Sequence, residues 1–387
     1  LLSFKEQFGG WQATELSVSD ENVPPAPSSK LPGELLWYAL NLYFNNGGGR
    51  CYVASIGEFP EGAPREADYA AGLDALAAFD EPTLVVAPGA VQLAPADYAA
   101  FCQKALAHCK TLKDRFAVLD IKDGPKAVED FRTGVGTDGL SYGAAYYPYL
   151  ETTLLHEFDE AEIKVGTGAE TLASIRVTKT AAYNAIKKSL GAQRVLLPPS
   201  AAVVGAYCRV DRERGVWKAP ANVSLSSVIQ PAVRVTSDAQ ETLNVDTNAG
   251  KSINVIRAFA GKGSLVWGGR TLAGNDNEWR YVNVRRLFIT IEESAKNATG
   301  FAVFEPNDAT TWLKVKGMLE AYLYGLWERG ALQGAKPEQA FVVNVGLGKT
   351  MTQQDILEGR LVVELSIAAV RPAEFITLRF SHKLAES

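Results

Sequence analysis

Between Leu35 and Arg286 the chain alternates short apolar runs with helical stretches, and this alternation limits the fold more than any other feature. A helix over Leu35–Phe44 leads through NNGGGR to the run RCYVASI. A helical stretch over Ala67–Phe79 precedes TLVVAPG, Ala96–Leu112 precedes RFAVLDI, and Thr178–Leu190 precedes VLLPPS, with Ser141–Tyr149 as a further strand candidate. Strands that are apolar throughout must be covered on both faces, and helices of about 12 residues between them supply the crossovers. The pattern predicts an α/β fold with a mostly parallel sheet and helices on both faces. Two polar, turn-rich stretches, Lys122–Thr171 and Ser224–Asn244, read as exposed insertions.

From Trp279 onward the pattern changes. EWRYVNVRRLFITIEES puts Tyr281, Val284, Leu287, Phe288, Ile291 and Ala295 at helical spacing, with Arg285 and Glu292 on other faces. A second helix starts after Asn307–Asp308, which reads as a cap, and carries Trp312, Val315, Leu319, Tyr322, Leu326 and Trp327 along one side. Its other side bears Lys314, Gly317, Ala321 and Gly325, small enough for a neighbouring surface to approach the backbone. A pair of strands closes the chain. In the last, Phe375, Thr377 and Arg379 alternate with Ile376, Leu378 and Phe380, giving one mixed and one apolar face. These shifts divide the chain into residues 1–276 and a smaller α+β domain of residues 277–387.

Bulk properties narrow the function. A chain of 387 residues is long enough for two domains, and 47% hydrophobic and 21% charged residues are ordinary for a globular protein. A formal charge of −5 gives no electrostatic reason to expect nucleic acid as a partner. No window approaches the roughly 18 uninterrupted apolar residues of a membrane span, and no signal peptide opens the chain. Cys51, Cys102, Cys109 and Cys208 are scattered and read as reduced thiols. The chain opens on Leu1, and Met318 and Met351 are its only methionines, so a segment ahead of Leu1 is expected.

The candidates for catalysis are weak. A serine hydrolase needs a base for the serine proton and an acid to orient that base. Only His108, His156 and His382 are available, none in such a setting, and no GxSxG elbow occurs. Asp120 ends the run RFAVLDI, where α/β folds often place a catalytic carboxylate, but strand-end aspartates commonly cap turns. Gly348-Lys349-Thr350 is preceded by Val343 where a phosphate loop has its first glycine, and GGGR precedes a strand candidate rather than opening a helix. Cys102, His108 and Cys109 lack the paired spacing of a structural zinc site, and helix packing explains them. No cofactor or metal is expected, and an α/β hydrolase with unrecognised catalytic residues stands as the alternative class.

Five blocks in order, WRYVNVRRLF, FEPND, Trp312, GALQG, and GRL with RPAEFI, resemble the C-terminal domain of contractile tail sheath proteins of phages and bacterial contractile injection systems. The likeness extends back through SFKEQFGG, GGGRCYV, PPSAAVVGAYCRVDRERGVWKAPAN and LVWGGRTL, nearly the whole chain. The resemblance implies a subtilisin-like first domain and a structural, non-enzymatic subunit that polymerises helically around an inner tube and contracts to drive it through a target envelope. It implies as partners further copies of the chain, the inner tube protein, and baseplate and terminator proteins, without nucleic acid or membrane insertion. Assembly would occur in the bacterial cytoplasm, as part of a phage tail or a tail-like particle, with extracellular release as one outcome. Lys314, Lys316, Gly317 and Ala321 would face the tube, and Phe375, Ile376, Thr377, Leu378, Arg379 and Phe380 would add a strand to a neighbouring subunit. The segment ahead of Leu1 would be an N-terminal arm. A non-contractile capsid or adhesion component is a third class, expected to give assemblies of one fixed length.

Overall fold

The computed structural model describes residues 2–8, 17–18, 35–57, 64–124, 126–166 and 169–374. By its internal contacts the chain forms two compact units, one of Leu1–Val216 and Pro220–Ser294, the other of Trp217–Ala219 and Ala295–Ser387.

The first unit is a mixed α/β structure. Its main sheet runs, in spatial order, Leu84–Val86, Phe116–Asp120, Gly143–Tyr147, Ile253–Phe259, Gly263–Trp267 and Val223–Ser224. The first four strands are mutually parallel, and the last two pair antiparallel. Every residue of Phe116–Asp120 is buried, so both alternating sets of side chains are covered. The helices Pro95–Leu112 and Ser200–Arg214 both pack on this strand. A second, three-stranded antiparallel sheet places Leu150–Leu155 between Arg194–Leu197 and Val228–Pro231.

Helix Ser200–Arg214 lies against helix Leu36–Asn45 at very short range. A Cβ on Gly205 would stand 2.4 Å from the Tyr43 carbonyl oxygen and 2.8 Å from the Asn46 Cβ. Asn46 cannot give way easily. Its amide donates to the Leu42 and Ser226 carbonyls, at 2.8 and 3.1 Å, and its oxygen accepts from the Ser226 N–H at 2.8 Å.

Two sequence expectations for this unit are corrected. The run RCYVASI is not a strand: residues 51–56 have no ladder partner, and Leu84–Val86 ends the sheet. Strand-like composition suits a pleated surface but does not supply a partner. Its side chains turn to the helix Glu66–Leu76 and the turn after it instead: Ile56 sits against Gly72 of the helix, and Tyr52 packs on Phe79 beyond its end, ring centroids 5.6 Å apart. Both this run and Leu84–Val86 line a groove of about 1530 Å³. The stretches read as exposed insertions, Lys122–Thr171 and Ser224–Asn244, are also largely structural. Ala144, Ala145, Tyr146, Leu150, Leu225, Val235 and Leu243 belong to the main core. Ile163 and Val165 join Leu172, Ile175, Tyr183, Ile186 and Leu190 in a separate small cluster.

The second unit begins near the end of helix Val282–Ala298 and continues with the long helix Ala309–Glu328. Asp308 caps that helix as expected, accepting from the Thr310 and Thr311 N–H groups at 2.9 and 3.0 Å. A two-stranded antiparallel sheet follows, Phe341–Val345 against Val363–Ile367. The strand FVVNV had no counterpart in the sequence reading. Residues 346–351 make a tight turn, in which the Thr350 hydroxyl accepts from the Gly346 N–H and donates to the Val362 carbonyl.

Candidate assembly surfaces

Helix Ala309–Glu328 is two-faced. Thr311, Val315, Leu319, Leu323 and Leu326 are buried, a stripe at the spacing of one helix side. Of the four residues assigned to a partner-facing surface, Lys314, Gly317 and Ala321 are exposed, and Lys316 is half-buried. Lys316 approaches Glu320 at 3.5 Å, one turn on. A Cβ on Gly317 would meet nothing within 4 Å, so this face has room for a close neighbour. Trp312 is fixed at the edge of the stripe, its indole N–H donating to the Asn307 side-chain oxygen at 2.7 Å. The six residues Phe375–Phe380 lie outside the described residues.

Helix Val282–Ala298 departs from its expected pattern at one point. Arg285, placed on an outer face by spacing, is only 4% exposed. Its guanidinium lies 4.3 Å from the ring centroids of both Tyr142 and Trp279, and it reaches the Glu292 carboxylate at 3.3 Å. The two aromatic faces offset part of the cost of taking this planar, weakly hydrated cation out of water. Arg286 beside it is also buried, 4.8 Å above the Tyr207 ring and in a two-pronged pair with Asp211, Nη1 to Oδ1 at 3.1 Å. The Tyr207 and Tyr146 hydroxyls meet at 2.5 Å below. Two adjacent arginines are thus built into the first unit by aromatic and acidic partners, of which Tyr142, Tyr207 and Asp211 come from distant parts of the chain.

The candidates for chemistry have structural roles. Asp120 accepts from the Ser200 N–H at 2.7 Å and from the Ser200 hydroxyl at 2.5 Å, satisfying the start of helix Ser200–Arg214. Burial pushes its carboxyl up to about 7, while the two Ser200 bonds act in the opposite direction. The hydroxyl donates straight to the carboxylate with no imidazole between them, so this is a cap and not a proton relay. His156 is buried against Tyr38, and burial holds its imidazole below the usual range. His108 lies by Arg115, whose guanidinium donates to the Leu76 and Phe79 carbonyls at 3.0 and 2.8 Å, just past the end of helix Glu66–Leu76. Cys102 and Cys109 are buried on the inner side of helix Pro95–Leu112, consistent with packing.

A family model described as the phage tail sheath C-terminal domain matches residues 274–383. A chain in the cryo-EM structure of the anti-feeding prophage baseplate is 37% identical, with a TM-score of 0.68, over 94% of this chain and 84% of that one. A chain in the anti-feeding prophage helical sheath in its contracted state is 36% identical, with a TM-score of 0.67, over 96% of this chain and 93% of that one. The tail sheath protein of Vibrio phage KVP40 is 23% identical over 185 residues, 48% of this chain and 26% of the relative. This chain thus spans about a quarter of the length of the curated relatives it matches. Identity above a third along nearly the full length of a helical sheath chain, joined to the sheath family model at the C-terminal end, makes this chain a member of the contractile tail sheath family.

Proposed function

We propose that this chain is a structural subunit of a contractile sheath, working without catalysis or cofactor. The observation that carries the reading is its 36% identity across 96% of its length to a chain of a contracted helical sheath. Copies stack helically around an inner tube, held extended by a baseplate and closed by a terminator protein. On release, the subunits rotate as nearly rigid bodies into a packing of lower free energy. The sheath shortens and the tube is driven through an envelope. The work comes from the difference between two packings of one set of surfaces, so no nucleotide is consumed. Assembly takes place in the bacterial cytoplasm, within a phage tail or a tail-like particle that can be released.

Within this reading the first domain, residues 1–276, is subtilisin-like in architecture without the protease chemistry. Residues 277–387 face the tube and link subunits. Support for the tube-facing role is the exposed small-residue side of helix Ala309–Glu328, with Lys314 at its edge and open space over Gly317. Support for the linking role of Phe375–Phe380 is its alternating sequence, together with a sheet of Phe341–Val345 and Val363–Ile367 that has only two strands among the described residues.

Electron microscopy of the chain co-expressed with its tube protein tests the function. Hollow cylinders around tubes, shortening when the baseplate is triggered, are the expected result. Monodisperse particles labelled by a serine-directed hydrolase probe would overturn it in favour of an enzyme.

A further inference from the structure

Two of the four thiols share one corner of the first unit. Cys51 is exposed and Cys208 half-buried, and both line the groove beside Leu84–Val86. Cys102 and Cys109 are buried on the inner side of helix Pro95–Leu112, out of reach of a dissolved oxidant.

The Tyr43 hydroxyl ties the corner together. It lies 3.7 Å from the Cys208 sulfur and accepts from the Gly49 N–H at 3.1 Å. Cys51 follows Gly49 by two residues, a reach of about 7 Å at full extension. The segment leading to it crosses helix Ser200–Arg214 closely. A Cβ on Gly47 would stand 2.8 Å from the Arg209 Cβ, and the Arg209 guanidinium donates to the Asn46 carbonyl at 3.3 Å. Desolvation pushes the Cys51 thiol up, and Cys208 adds to that shift as a neighbouring acid. The Tyr43 hydroxyl is raised by burial first and then by Cys208 and Cys51 together. The two thiols and the phenol are therefore one cluster.

The backbone on either side of Cys51 has room to adjust. An added Cβ would meet nothing within 4 Å at Gly49 or at Gly57, and residues 51–56 have no ladder partner. A disulfide asks for Cα atoms about 4.4–6.8 Å apart. A run held by no ladder settles to that spacing with few bonds to break.

We propose that Cys51 and Cys208 are a disulfide site, converted from two thiols to one cross-link by a small-molecule disulfide such as oxidised glutathione. The Cys51 thiolate, the more accessible of the two, attacks one sulfur of the small disulfide. That S–S bond breaks, and one small thiolate leaves and takes up a proton. The Cys208 thiolate then attacks the Cys51 sulfur of the mixed disulfide, forming the protein S–S bond and expelling the second small thiolate. Two protein thiols lose two electrons and two protons, and one small disulfide becomes two thiols. The cross-link fastens the ladderless run to helix Ser200–Arg214 and closes a long loop, which restricts the unfolded chain. Nothing in this step depends on the chain being a sheath subunit.

The test incubates the purified full chain with oxidised glutathione under native conditions, then alkylates the remaining thiols in denaturant. Peptide mass mapping and thermal unfolding read the outcome. The expected result is loss of two of the four thiols, one peptide pair joining Cys51 to Cys208, and a melting temperature higher by about 5 °C. Dithiothreitol should reverse all three. Cys208→Ser is expected to stop at a mixed disulfide on Cys51, and Cys51→Ser to form no cross-link within the chain. A parent chain that accumulates the mixed disulfide on Cys51 without closing it would overturn the proposal, because the two thiols do not meet. So would a cross-link to Cys102 or Cys109, a cross-link only between separate copies, or four thiols left unreacted. A Cys51–Cys208 cross-link that melts no higher than the reduced chain would show that closure distorts the fold, and would overturn it as well.

Discussion

Replacing Gly205 by alanine adds one methyl group at the tightest helix crossing in the first unit. The new carbon would stand 2.4 Å from the Tyr43 carbonyl oxygen, 3.2 Å from the Tyr43 carbonyl carbon and 2.8 Å from the Asn46 Cβ, roughly 1 Å inside ordinary contact. Two effects oppose each other. Alanine is the better helix former by about 1 kcal/mol, which favours the variant. Overpacking costs typically about 1–3 kcal/mol, and the upper end applies where the obstacle is backbone. Here it is the last turn of helix Leu36–Asn45, pinned through Asn46 to Leu42 and Ser226. The balance is a loss of about 2 kcal/mol, or a melting temperature lower by roughly 3 °C for a unit of this size. Calorimetry of Gly205→Ala beside Gly317→Ala provides the assay. Gly317 lies on the exposed face of helix Ala309–Glu328 with nothing within 4 Å of an added Cβ, so its variant feels the propensity gain alone and should melt slightly higher. If the two variants shift in the same direction, the close approach does not limit the fold and the reasoning is refuted.

Asp120 should impose a pH dependence on stability. Its folded carboxyl is pushed up to about 7 by burial, above the unfolded value of about 3.9, so stability falls as pH rises through that window and levels off above it. Asp120→Asn keeps an acceptor for the Ser200 N–H and should flatten the urea-midpoint profile between pH 4 and 7; parallel profiles for parent and variant would contradict the assignment. His156, held low by burial, works in the opposite sense: stability is lost as pH falls below about 6.5, and a His156 variant should lose that acid-side slope. Asp211→Asn weakens the pairing of the buried Arg286 and should cost about 1–3 kcal/mol in chemical denaturation, scaled down because Asp211 is itself partly exposed. Lys314→Glu with Lys316→Glu should leave unfolding nearly unchanged and weaken assembly on the tube, which co-sedimentation reads. Thr377→Pro or Leu378→Pro removes a backbone donor and should give a folded monomer that no longer polymerises; sheaths of normal length from either variant would contradict the strand linkage.

What was legible in the sequence followed the range of the physics involved. Runs such as RFAVLDI and VLLPPS are mainly apolar, a demand for burial that local composition alone conveys, and both form strands, the first buried throughout and the second in part. Helix Ala309–Glu328 announced itself by its cap and its stripe. RCYVASI carried the same local signal but found no ladder, because pairing depends on what lies alongside. Arg285 was misplaced for a related reason. Its burial depends on Tyr142 and Trp279, and Tyr142 is remote in sequence, so helical spacing gives no sign of the aromatic sandwich. The exposed face bearing Lys314 was readable from spacing, whereas the outward ring of Phe304 was not, since phenylalanine by type predicts the interior.

The two neighbouring arginines of helix Val282–Ala298 also determine how the chain carries tension. Helix Val282–Ala298 carries the chain from the first unit into the second, so a pull on the segment beyond Ala298 loads this helix. To yield, the helix would have to withdraw one guanidinium from between Tyr142 and Trp279 and another from Asp211 and Tyr207. Arg285 and Arg286 therefore fasten the first turns of the helix into the first unit at two neighbouring points.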